Sequence, residues 1–180
     1  MAIRKVARLG HPVLRQPSGD IAPDQIRSDD VQRLIRDLYD TMAEYEGVGL
    51  AAPQIFESLR AFVMYVPPDP DNGFPGIPPT AWVNPIVTPE GEGKLVGWEG
   101  CLSIPDLRGK VIRYKAVLVS GLDHEGKRRE ARYEGFPAIV AQHENDHLDG
   151  VVFLDRMIDM KTLTFVKEYE RYWLPRETED

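Results

Sequence analysis

The hexapeptide Gln142-His143-Glu144-Asn145-Asp146-His147 constrains this chain more than any other stretch. It contains His-Glu-x-x-His, two histidines four positions apart with a glutamate after the first. On an α-helix, positions i and i+4 lie on one face, one turn apart. Both imidazoles can therefore reach one metal ion, and Glu144 is placed to take a proton from water held there. The flanking residues support a helix. Pro137 suits a first turn, Ala138-Ile139-Val140-Ala141 is an apolar run without a breaker, and Gly150 suits a stop. Together they predict a helix over Phe136–Leu148. A buried histidine pair beside a buried carboxylate is costly without an ion or full hydrogen bonding. The alternative is a chance match among ordinary histidines, and the chain holds only four.

A catalytic site of this kind needs a third protein ligand and one coordination place left to water. The lone cysteine, Cys101, is a candidate ligand or nucleophile. Gly100 before it lets the backbone bend and approach another group. The bland alternative is a buried, inert thiol, for which the nearby Glu99 is unusual company. A single cysteine excludes an internal disulfide and fits a reducing cytoplasm. The length of 180 residues suffices for one domain with a sizeable core, and no repeat or linker divides residues 1–180. A net charge of -7 argues against unspecific nucleic-acid affinity. No apolar run is long enough to span a bilayer, and Met1–Val6 lacks the apolar region of a signal peptide.

The other elements follow from periodicity and breakers. Gly10–Leu14 reads as extended, because a residue before proline avoids the helical region; His11 there reads as exposed or capping. Ser28-Asp29-Asp30 offers caps for an amphipathic helix with Val31, Leu34, Ile35, Leu38 and Met42 on its apolar stripe, stopping at Gly47. Gly47–Gln54 reads as a tight turn or as a cleft wall presenting the Gln54 amide. Ala61–Val66 reads as a buried strand, Pro67–Pro79 as an irregular surface loop, and Trp82–Val87 as a strand whose proline assigns it to a sheet edge or end. Val111–Tyr114, Ala116–Leu122 and Arg128–Tyr133 read as strands, the last two joined by a hairpin at Asp123–Gly126 that leaves His124 in solvent. Val151–Leu154 reads as a short strand, Asp159–Tyr172 as a terminal helix, and Pro175–Asp180 as a frayed charged end.

Three stretches, in this order, together resemble the peptide deformylases: Gly47–Gln54, Glu99–Ser103 and Gln142–His147. The resemblance spans nearly the whole chain. It implies an α+β fold, antiparallel sheets packed around a central helix that carries the histidines, with further helices toward each end. It implies hydrolysis of the formyl group from the N-terminal formylmethionine of new polypeptides, releasing formate. Cys101, His143 and His147 would hold ferrous iron, although such a ligand set admits zinc, nickel or cobalt equally. Glu144 would be the general base, and Gln54 with the backbone N–H of Leu102 would stabilise the oxyanion. Val48, Gly49, Glu99, Arg108, Phe136, Ile139 and Val140 would bind substrate. Of these, Val48, Phe136, Ile139 and Val140 line an apolar methionine pocket, and Arg108 lies near the peptide backbone. Gln142 and Glu99 would support the ligands. The expected protein is a cytoplasmic monomer that meets formyl-Met nascent chains, with contact to the ribosome through the terminal helix a further expectation.

Two rivals carry other expectations. A zinc endopeptidase would use the same helix but take its third ligand downstream, where no histidine follows His147 and Glu168 is the available acid. A non-enzymatic metal- or partner-binding module would release no formate from a formyl-Met peptide.

Overall fold

The computed structural model describes residues 2–174; the charged end Pro175–Asp180 lies outside them. The first helix, α1 (Asp29–Glu44), starts where Ser28 caps it through a bond from the Val31 N–H. Strands β1 (Gly49–Ala51), β2 (Ala61–Val66), β3 (Ile77–Pro89), β4 (Lys94–Cys101), β5 (Ile104–Tyr114), β6 (Ala116–Leu122) and β7 (Arg128–Glu134) precede the second helix, α2 (Phe136–Leu148). A two-residue strand, β8 (Thr164–Phe165), leads into a short helix, α3 (Val166–Tyr172).

The strands form two antiparallel sheets, one in the order β1-β2-β3-β6-β7 and one in the order β4-β5-β8. Strand β2 shows why the first sheet is buried on both faces. Ala61 and Val63 join the α1 residues Leu34, Ile35 and Leu38, while Phe62 and Met64 join the α2 residues Ala138, Val140 and Ala141. Successive side chains point to opposite faces, so a continuous apolar run is what a strand between two helices requires. Phe62 and Trp82 are fully buried, and burial of one such side chain stabilises the fold by about 1.5–3 kcal/mol.

Helix α2 lies between the two sheets. Its opposite side meets the β4–β5 hairpin, where Cys101 packs with Ile104, Val111, Val152 and Phe153. Pro137 occupies the first turn, and Gly150, at a φ of 74°, follows the last. Arg60 ties the C-terminal end to the first sheet, with Nη1 donating to the Leu148 carbonyl and to Asp149 Oδ1. A cation at this end also complements the helix dipole.

Several sequence expectations are corrected. Strand β3 is the middle strand of its sheet, not an edge. Its proline is tolerated because the register slips between Val83 and Ile86, so Pro85 sits where the ladder is already interrupted. The same strand takes in Ile77–Pro79, the last part of the expected loop. Pro12–Arg15 is a 3-10 turn capped by His11 Nδ1, rather than extended. Phe153–Arg156 is also a 3-10 turn, closed by the Asp155 carboxylate accepting from the Val152 N–H. The expected Asp159–Tyr172 helix is only α3, because Met160–Thr162 forms a separate turn and β8 pairs with Leu107–Arg108.

Candidate active site

His143 and His147 project from one side of α2, their rings 5.0 Å apart between centroids. Cys101 ends β4 and opens the tight turn into β5, which brings its sulfur to 3.2 Å from His147 Nε2. The three ligand atoms lie within 4.8 Å of one another, the one such group among the described residues. Two ligands of a single tetrahedral ion, bound at about 2.3 Å for sulfur and 2.0 Å for nitrogen, stand about 3.5 Å apart. The donor set therefore fits one metal ion. Burial alone would push the Cys101 thiol up, but the charge and hydrogen bond of His147, with His143 close by, hold it well below the usual thiol range. That favours the thiolate, the form that ligates. Glu168, the alternative third ligand, sits exposed on α3 and is not part of the group.

Behind His143 runs a fully paired chain of charges. Glu99 Oε2 lies 2.8 Å from His143 Nδ1; a carboxylate can only accept, so Nδ1 carries the proton and Nε2 is left free to ligate. Arg113 donates to both oxygens of Glu99, at 2.8 and 3.0 Å, and to Asp146 Oδ2 at 2.5 Å. Arg156 closes the chain on the far side of Asp146. Burial opposes ionisation of Glu99, yet hydrogen bonds from Arg113 and His143 bring it down to about 2. Glu99 borders the cleft, but both its carboxylate oxygens are engaged with these two partners.

Glu144 contrasts with this. It is 4 % exposed, and its Oε2 has no hydrogen-bond partner among the described residues. Burial pushes its carboxyl up to about 7, against the charges of His143 and His147. Gly49 makes room for it: a Cβ there would lie 2.7 Å from the Glu144 carboxyl carbon. This is the physical reason for one of the two glycines in Gly47–Gln54. Past β1, the chain makes a 3-10 turn at Ala52–Ile55. The Gln54 Oε1 accepts from the Ala51 N–H, which turns Nε2 toward Cys101 Sγ at 3.5 Å and Ser103 Oγ at 3.2 Å.

A cleft of about 620 Å³ opens onto these groups. Its lining includes Val48, Gly49, Gln54, Glu99, Cys101, Leu102, Arg108, Phe136, Ile139, Val140, His143 and Glu144, so the residues expected to bind substrate and those expected to act on it share one cleft. Its size falls in the ordinary range for small-ligand sites. His147 is buried beneath it. Gln142 does not approach the ligands: its amide bridges the Tyr114 backbone N–H and carbonyl, clamping α2 to β5. Sequence reasoning missed Arg113, Asp146 and Arg156, and also Arg8 and Val166, which line the cleft from opposite ends of the chain. Asp146 lay inside the motif itself; its two arginines, 33 and 10 residues away, left no periodic signal.

A Cys-His-His group able to hold one ion, a cleft that opens onto it and a buried carboxylate beside it fit a metal-dependent hydrolase. Residues 3–163 match the family described as polypeptide deformylase, and the chain belongs to that family. Peptide deformylase 1 of Prochlorococcus marinus is 44% identical over 175 residues, covering 94% of this chain and 88% of that one. The peptide deformylase of Leptospira biflexa is 38% identical over 173 residues, covering 94% of this chain and 96% of that one. Among solved structures, a class I type b peptide deformylase from Acinetobacter baumannii bound to Met-Ala-Ser superposes with a TM-score of 0.80 at 34% identity, covering 87% of this chain and 99% of that one. The Thermotoga maritima enzyme superposes with a TM-score of 0.77 at 34% identity, covering 88% of this chain and 100% of that one. The reaction is removal of the N-formyl group from nascent peptides.

Proposed function

We propose that Cys101, His143 and His147 hold a single ferrous ion, for which zinc, nickel or cobalt can substitute. The donor set supports one divalent cation. When bound, such an ion acts as a Lewis acid toward water and the formyl oxygen. The residues of the chain perform the other tasks. Glu144 takes the proton of the attacking water and returns it to the departing amine. Its buried carboxyl group beside the histidines, with Oε2 unpaired among the described residues, is the observation that carries this reading. The Gln54 amide and the Leu102 backbone N–H receive the negative charge growing on the formyl oxygen. Val48, Phe136, Ile139 and Val140 hold the methionine side chain, and Gly49 and Arg108 face the peptide. The Acinetobacter relative solved with Met-Ala-Ser bound supports a peptide that begins with methionine as the ligand class.

The substrate is a formyl-Met nascent chain, met in the cytoplasm near the ribosome by a monomer in which residues 1–180 form one catalytic domain. The single cysteine supports a reducing compartment, and no helix of the described residues is long and apolar enough to cross a membrane. Formate release from a formyl-Met-Ala-Ser peptide by anaerobically prepared protein tests the activity, with metal analysis of the same sample. Gln54→Ala is expected to lower kcat about 10²–10³-fold with the ion retained. Wild-type kcat in that variant would remove Gln54 from the mechanism.

A further inference from the structure

The N-terminal segment Ala7–Leu9 crosses between two parts of the site that lie far apart in sequence. The Ala7 N–H donates to the Gln54 carbonyl at 2.7 Å. The Leu9 N–H donates to the Ser103 carbonyl at 2.9 Å. Between them, Arg8 Nη1 donates to the Leu102 carbonyl at 2.7 Å. Gln54 follows β1 in one sheet, whereas Leu102 and Ser103 form the tip of the β4–β5 hairpin in the other. The Gln54 side chain also reaches across, with Nε2 at 3.5 Å from Cys101 Sγ and 3.2 Å from Ser103 Oγ.

We infer that Arg8 is a positioning residue for formyl transfer to water, acting through Leu102 to fix the hairpin tip at a set distance from Gln54. The inference rests on the reading of Gln54 and Leu102 as oxyanion donors. Arg8 is exposed and lines the cleft, where Glu46 and Asp106 are also present, yet it makes no ion pair among the described residues. Its one hydrogen bond goes to a neutral carbonyl, and an exposed arginine loses rotamer freedom to hold such a bond. The carbonyl it holds belongs to the residue after Cys101. The two flanking backbone bonds fix where the strap lies, and the guanidinium is the one contact a side-chain change can remove without disturbing them. Oxyanion donors act only at the distance where charge develops, and misplacement by about 1 Å can lower a rate about 10²-fold.

The test compares Arg8→Met, Arg8→Gln and Arg8→Lys with the wild-type holoenzyme. Arg8→Met is expected to lower kcat about tenfold with KM within about twofold, the signature of an interaction felt in the transition state. Arg8→Gln, which is too short to span the gap, should behave likewise. Arg8→Lys, which keeps a long donor, should recover most of the loss. Amide hydrogen exchange at Leu102 and Ser103 should accelerate in Arg8→Met, a readout independent of turnover. In a Gln54→Ala background the same change should fall below about threefold, because coupled residues are not additive. Unchanged kcat with unchanged exchange would overturn the inference, and so would a raised KM with unchanged kcat, which would assign Arg8 to substrate binding. If Gln54→Ala alone keeps wild-type kcat, the oxyanion reading has failed rather than the strap.

Discussion

The two sides of helix α2 place opposite demands on a buried carboxylate. Glu99 and Asp146, on the His143 side, have every neighbour a buried acid requires, with Arg113 between them. Glu144, one residue from His143, has an oxygen with no partner and a glycine opposite it. The consequence for acidity is a Glu99 held at about 2 and a Glu144 raised to about 7. The comparison separates two uses of one chemical group. The carboxylate that holds an imidazole is fully hydrogen-bonded, whereas the one proposed to exchange a proton is left incompletely satisfied.

Changes that abolish the site give the largest expected effects. Cys101→Ser removes the thiolate, and both bound ion and formate release should fall to background, as read by metal analysis and the peptide assay. Retained ion at wild-type stoichiometry would contradict the ligand assignment. Glu144→Gln is next: it keeps the shape but not the proton acceptor, so kcat should drop about 10²–10⁴-fold while the ion stays bound. Arg113→Ala attacks the opposite side. It removes the partner that two buried carboxylates share, leaving Asp146 to Arg156 and Glu99 to His143, and urea denaturation should show a loss of about 3–5 kcal/mol; a change under 1 kcal/mol would show that the charge chain does not hold the fold. Glu99→Gln has the smallest effect. It weakens the bond that orients His143, so metal affinity should fall about 10–100-fold, with kcat at saturating metal near wild type. A larger fall in kcat than in affinity would blur the distinction between holding and reacting carboxylates.

Local rules made much of this legible beforehand. Helix α2 keeps the expected limits because a first-turn proline and a following glycine are both backbone constraints. Strand β2 keeps its limits because an unbroken apolar run with β-branched members fits a doubly covered strand. The ligand set could be read because Cys101 is the single cysteine and the histidines are one turn apart. Pro85 misled, because its compatibility with a central strand depends on a register shift that a single strand does not display. Gln142 misled through its position in the motif; it faces Tyr114 instead, on the side of α2 turned to β5. The Arg113 chain and the Ala7–Leu9 strap were invisible for a common reason: each joins residues from separate elements, and periodicity reports only neighbours along one element.

Helix α2 is packed by a sheet on either side and bears both imidazoles. Heating should therefore release the cation and melt the protein in a single step, and a chelator should lower the melting temperature rather than yield a cold, intact apoprotein of unchanged robustness. Departure of the ion and collapse of the tertiary structure should then register as one event, because both imidazoles stand on a helix covered from two sides.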